Sequence, residues 1–232
     1  MSIFLTAGTT CPTCGAAASL DYPASINAGR RPDLRAAVLD GSLYTIPCRS
    51  CGEALIFEPH ITYLDIARRQ WILAIASTEL QRWREAEQDA MGTFALGFGA
   101  DAPEVARRLG EGLTARLVFG WPALIEKLVC GDLGYDDITV ELVKLALLRD
   151  VPGAPLDSEH DLRLLGREAG RLRFAWVDRV SGAPNTRADV PADIYAAVHA
   201  NSAAWADAAA TVATGLFIDI GRVLHAGTGA AA

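Results

Sequence analysis

The chain has 232 residues, 51% of them hydrophobic, and its 21 Lys and Arg against 28 Asp and Glu give a formal net charge of −7. This hydrophobic fraction excludes wholesale disorder, and the length is enough to bury a substantial core in one or two domains. The acidic balance argues against a nucleic-acid-binding protein of the usual basic kind, whose positive surface supplies most of the affinity.

Four of the five cysteines lie in two short turns of the same design near the start of the chain. Residues 11–15 read Cys-Pro-Thr-Cys-Gly and residues 48–52 read Cys-Arg-Ser-Cys-Gly. Each turn places two sulfurs on one side of a metal ion, and its final glycine lets the chain bend sharply. Together the turns supply the four thiolates of a tetrahedral zinc site. We therefore predict one structural zinc ion, bound by Cys11, Cys14, Cys48 and Cys51.

Two other interpretations of the cysteines stay open. The Cys-Pro-x-Cys-Gly turn also suits iron in a rubredoxin-like centre. A Cys-x-x-Cys pair can perform thiol redox chemistry when its first thiol lies at a helix N-terminus. The matched second pair favours a shared metal site over redox chemistry. The 33 residues between the pairs exceed the roughly 15–20 of a simple zinc ribbon, which predicts an insertion over residues 19–45.

The remaining elements follow in chain order. We expect a short helix over 32–39 inside the insertion, and strands over 54–58 and 71–76, although the apolar pattern over 71–76 also fits a helix. Further along the chain, the pattern predicts helices from 103, over 122–129, from 136 and over 190–199, and strands over 162–165, 172–177 and 216–220.

Within the helix over 122–129, apolar side chains recur at helical spacing, so we expect Glu126 and Lys127 to point outward. Cys130 follows this helix, and we expect an inert buried thiol there. His60 lies near the second cysteine turn as a possible additional ligand, but four cysteines already complete a zinc site.

These elements predict an α+β protein, in which a four-cysteine zinc ribbon with an inserted helical segment joins a larger α+β body. We expect the zinc-ribbon module to occupy residues 1–78, the body to occupy 79–225, and a flexible tail of small residues to occupy 226–232.

The two cysteine turns resemble those of the bacterial CpXC family, which is named for two Cys-Pro-x-Cys turns. The resemblance covers roughly residues 8–76, and segments 126–128 and 136–137 resemble the longer members. The chain departs from the family name at Arg49, where a proline is expected, but proline is not a metal ligand. The resemblance implies a zinc-binding ribbon and supplies no catalytic residue.

The sequence carries neither a signal-peptide pattern nor an apolar stretch long enough to span a bilayer, so we expect a cytoplasmic protein without a membrane partner. The expected function is non-catalytic: a protein-interaction or adaptor module that binds another protein or a second copy of itself. One alternative is an enzyme whose active site lies in the body. A pocket with convergent carboxylates and shifted pKa values would favour this alternative. The other is a nucleic-acid-binding zinc-ribbon regulator.

Overall fold

The computed structural model describes residues 4–150 and 159–222. The chain is 40% helix and 31% strand, which confirms the predicted α+β class. The predicted tail over 226–232 lies outside the described residues. Among the helices that are described, none combines the length and the hydropathy needed to cross a bilayer.

Two antiparallel hairpins carry the cysteine turns. The first pairs β1 (Phe4–Thr10) with β2 (Ala17–Pro23), and the second pairs β4 (Thr45–Pro47) with β5 (Ala54–Ile56). Each cysteine pair lies in the connection between its two strands. Between the hairpins the chain forms β3 (Ser25–Asn27) and the predicted inserted helix, α1 (Pro32–Leu39).

A four-stranded sheet forms the centre of the molecule, with the strand order β3-β6-β7-β8. Its other strands are β6 (Ile61–Asp65), β7 (Gln70–Ile75) and β8 (Thr114–Phe119). β7 runs antiparallel to β6 and parallel to β8. The sheet therefore contains strands from both sides of residue 78, and the boundary placed there stays a prediction.

Helices cover both faces of the central sheet. Helix α1 and α4 (Trp121–Leu133) pack on one face, where Tyr63 and Leu124 are fully buried. The other face is covered by a 3-10 helix (Ser77–Arg82) and α2 (Trp83–Phe98), and α3 (Glu104–Gly110) then leads into β8.

A second layer completes the body. Three antiparallel strands have the order β11-β10-β9, and Phe174 and Trp176 of the middle strand are buried beneath the helices that follow. Helix α4 contacts both this sheet and the central one. The elements of this layer are α5 (Asp137–Asp150), β9 (His160–Glu168), β10 (Arg171–Asp178), β11 (Pro184–Pro191), α6 (Asp193–Ala200), a 3-10 helix (Ser202–Trp205) and α7 (Ala206–Val212).

Two sequence-based expectations about secondary structure differ from the structure, one in where a helix starts and one in the presence of a strand. The helix expected over 190–199 begins only at Asp193, because Val190 and Pro191 still pair with β10 as the end of β11. The strand expected over 216–220 is irregular backbone. Its N–H groups donate to buried carboxylates instead of a neighbouring strand: those of Leu216 and Phe217 to Glu87, and that of Ile220 to Glu141.

Candidate metal centre

The two cysteine turns have the same backbone hydrogen bonds. In the first, Cys11 donates its N–H to the Ala16 carbonyl and accepts the N–H of Gly15, at 2.8 and 2.9 Å. In the second, Cys48 donates to the Glu53 carbonyl at 2.7 Å and accepts the N–H of Gly52 at 2.8 Å. Both glycines have left-handed backbones, with φ of 72° and 79°, which a residue with a Cβ rarely adopts.

The hairpins bring the four cysteine sulfurs into one cluster. Cys11 Sγ lies 3.6 Å from Cys51 Sγ, and Cys14 Sγ lies 3.7 Å from Cys48 Sγ. All four sulfurs lie within 4.8 Å of one another. A tetrahedron with metal–sulfur bonds of about 2.3 Å has edges of about 3.8 Å, whereas a disulfide bond is only about 2.05 Å long. The cysteines are free thiols at the spacing of a four-coordinate metal site, and they could hold a metal ion.

The cluster combines a buried half with an exposed half. Cys11 and Cys48 are buried, whereas Cys14 and Cys51 are exposed at the turn tips. Apolar side chains of the two hairpins pack around the buried pair, among them Leu55. This packing fixes the turns relative to each other.

The surroundings of the cluster favour the thiolate form of Cys48 and disfavour that of Cys51. The N–H groups of Cys51 and Ser50 lower the pKa of Cys48 to about 7. The N–H of Glu53 lowers the pKa of Cys51, but the other three thiols and desolvation outweigh it and raise that pKa to about 12. Several thiolates this close together repel one another, and a bound cation compensates that repulsion. The donor set therefore fits a bound metal cation.

The fifth cysteine, Cys130, and the histidine considered as an additional ligand, His60, are not part of the four-cysteine cluster. Cys130 is buried in the body, as expected, and burial raises the pKa of its thiol. His60 is exposed and lines a groove beside α2.

A second cluster of ionisable groups lies inside the body, and it includes two residues that were expected on the surface. Glu126 and Lys127 do not point outward: they are only 1% and 2% exposed. Lys144 Nζ bridges two carboxylates, at 3.0 Å from Glu126 and 2.7 Å from Glu141. Glu126 also pairs with Arg163 of β9 at 3.0 Å. We call this set, with Asp137 and Asp219, the buried ion network.

The other charges of the network are also matched. Lys127 lies 2.9 Å from Asp137 and donates to the Ile218 carbonyl at 2.7 Å, while Arg163 pairs with Asp219. A signal for part of this network was present in the sequence. Asp137, Glu141 and Lys144 follow one another at helical spacing on α5, so their side chains share one helix face.

The network contains the convergent carboxylates that would favour an enzyme. Oxygens of Glu126, Glu141 and Asp219 lie within 4.8 Å of one another, and burial raises the pKa of Glu141 to about 7. However, these three residues and Lys144 are at most 5% exposed, and each carboxylate is paired with a buried cation: Glu126 and Glu141 with Lys144, and Asp219 with Arg163. The arrangement joins α4, α5, β9 and the segment 216–222, so its ion pairs hold the body together.

Comparison with known proteins agrees with the geometry at the cysteines. The model of the family described as CpXC protein matches residues 9–144, which include all four clustered cysteines and extend into α5. No curated protein and no solved structure matches the chain.

Proposed function

Because the chain belongs to the CpXC family, we propose that it is a zinc-stabilised protein-interaction module in which four cysteines hold one structural zinc ion. The spacing of the four sulfurs carries this proposal, since 3.6 and 3.7 Å match the edges of a tetrahedral zinc–thiolate site. The ligands are Cys11, Cys14, Cys48 and Cys51.

A zinc ion with four thiolate ligands has no open coordination position, so its role is to cross-link the two hairpins rather than to activate a substrate. The hairpins carry few buried side chains of their own, and a metal cross-link offsets that small core. Iron is the alternative metal, since it accepts the same four ligands, and it would bring electron transfer.

The free cysteines fit the reducing cytoplasm, where we place the protein.

An interaction role is supported by apolar side chains on the described surface. Phe4 and Leu5 of the first hairpin are half exposed, and Leu96 of α2 and Val105 of α3 are more than four-fifths exposed. Burying such side chains against a second protein or a second copy of the chain would be favourable. The net negative charge disfavours nucleic acid as the partner.

Metal analysis tests the zinc site directly. Elemental analysis and thiol counting on the full, untagged chain should give about one zinc per chain, with four thiols protected until a chelator is added. The variant C11S should lose the metal. The matched control C130S, which changes a buried cysteine outside the cluster, should keep it. Iron, or a metal-free chain with a reversible Cys11–Cys14 disulfide, would overturn the zinc assignment.

The interaction role has its own test. The wild-type chain is cross-linked in cells and the products are identified by mass spectrometry. We expect it to be linked either to one partner protein or to a second copy of itself. The yield should fall sharply with C11S. Failure to recover any protein, together with a monomeric mass in solution, would contradict the interaction role while leaving the zinc site intact.

A further inference from the structure

A groove of about 640 Å³ lies on the central sheet beside α2. α2 covers only part of this sheet face: its Phe94 packs edge-on against Trp71, with ring centroids 5.2 Å apart. Thr62 of β6 and Leu73 of β7 are cross-strand partners, and both remain in the groove with Ile75 and Ala86. The floor of the groove is therefore largely aliphatic.

Acidic side chains form the wall on the side of α2. Glu85, Asp89 and Thr93 recur every four residues and therefore share one face of the helix. Arg82 is the single arginine in the groove lining, and it pairs with Glu85 at 2.5 Å and Glu79 at 3.7 Å. Its side chain is 68% exposed, so these ion pairs are weak and easily exchanged.

Glu58 supplies the opposite wall, just after the second zinc-ribbon hairpin. One carboxylate oxygen, Oε2, accepts the Ser77 N–H. The other, Oε1, is buried, and no residue of the described chain donates a hydrogen bond to it. Burial raises the pKa of this carboxyl. A buried acceptor without a donor is unfavourable, so a rotation of the Glu58 side chain that brings Oε1 to a cationic donor in the groove would be favourable.

We propose that this groove, the acidic groove, docks an extended segment of a partner protein that carries an arginine or lysine beside an aliphatic residue. The inference rests on the proposed interaction role and names the chemistry of the partner. Four carboxylates face one arginine, which selects a cation, and the aliphatic floor selects an apolar neighbour. The cation binds Glu58 and Asp89 and displaces Arg82 from Glu85, while the apolar side chain packs on Leu73.

The test uses the full zinc-loaded chain and a short fluorescein-labelled peptide in which leucine and arginine alternate. Fluorescence anisotropy should show saturable binding to the wild-type chain. E58Q/D89N should raise Kd about tenfold or more, because it removes two charge-assisted contacts. The matched control D101N/E111Q also removes one glutamate and one aspartate, both exposed and outside the groove, and should stay within about twofold.

Three results would overturn the acidic groove as a docking site. They are no binding of the arginine peptide, equal binding of a peptide with glutamate at the arginine positions, and equal weakening by both double variants. Because Glu58 is partly buried, D89N alone is measured as well. Asp89 is exposed, so the fold survives this change, and Kd should rise about threefold.

The proposed function and the acidic groove can fail separately. A cellular partner that binds the wild-type chain and E58Q/D89N equally would exclude the groove and leave the interaction role standing. If the interaction role itself is wrong, neither the wild-type chain nor E58Q/D89N will bind any partner.

Discussion

Arg35, on the helix inserted between the two cysteine pairs, forms a salt bridge of 2.6 Å with Asp132 near the end of α4. The same carboxylate accepts Arg68 at 2.7 Å, so one aspartate joins α1 and the β6–β7 connection to the body. Arg35 also donates to the Tyr63 hydroxyl at 3.1 Å. These contacts attach the helix inserted between the cysteine turns to the central layer.

The first prediction concerns this contact. In a double-mutant cycle with R35A and D132A, urea unfolding should give a coupling energy of about 1 kcal/mol, because Arg35 is only 15% exposed. The pair Arg82–Glu85, both more than 60% exposed, is the matched control and should couple by less than about 0.5 kcal/mol. Equal coupling in the two cycles would show that the Arg35 contact does not anchor the insertion.

The second prediction concerns Lys144, which is fully buried between Glu126 and Glu141. K144M removes the cation that Glu126 and Glu141 share and leaves each, among the described residues, with one remaining cation, Arg163 and Lys127 respectively. The free energy of unfolding should fall by about 3–5 kcal/mol, measured with urea at neutral pH. R108A removes an exposed arginine paired with Glu104 and should change stability by less than about 0.5 kcal/mol. A K144M chain as stable as the wild type would disprove this role of the network.

The third prediction is a pH dependence. Burial favours the neutral form of Asp137, but Lys127 and Arg116 outweigh it and hold the pKa of this carboxyl below its usual range. A carboxyl with a lowered folded-state pKa stabilises the fold above its unfolded-state pKa, near 4. This stabilisation disappears as the pH falls further, toward the folded-state pKa. D137N should therefore lose about 3 kcal/mol at pH 7, and the deficit should shrink below about pH 4.

Urea titrations of the wild type and D137N at several pH values measure this deficit. The other network carboxylates titrate in both chains, so the difference between the chains isolates Asp137. A deficit that stays constant from neutral to strongly acid pH would contradict the assignment.

The fourth prediction compares two glycines at which an added Cβ would meet open space. Gly52 has a φ of 79°, whereas Gly92 lies inside α2. G52A should destabilise the metal-bound chain by about 1–2 kcal/mol through backbone strain alone. G92A should stabilise it by about 0.5–1 kcal/mol, because alanine favours the helix. The midpoint temperature of thermal unfolding should fall in G52A and rise in G92A. Shifts of the same sign would refute the comparison.

Local features of the chain were predictable. The inserted helix follows from Pro32 at its first position and from buried Leu34 and Val38, which share one face. The cysteine cluster follows from two matched turns, because each turn forms its geometry within a few residues. A helix was expected from 136, and there Asp136 caps α5 by accepting the N–H of Thr139 at 3.0 Å.

Features that depend on distant partners were not predictable in the same way. Glu126 and Lys127 have the polarity of surface residues, and their burial depends on cations and carboxylates from α5, β9 and the segment 216–222. The segment 216–220 has the apolar pattern of a strand, yet the carboxylates of Glu87 and Glu141 take its N–H groups. No local pattern in the chain encodes those pairings.

The parallel pairing of β7 with β8 also constrains the order of events during synthesis. Both cysteine turns have left the ribosome once residue 52 has emerged, so the four thiols can come together early. The edge of β7 stays open until residue 119 follows, after α2 and α3 have been made. We expect a nascent chain that stalls between these points to expose the open apolar edge of β7, which chaperones would have to protect from pairing with other chains.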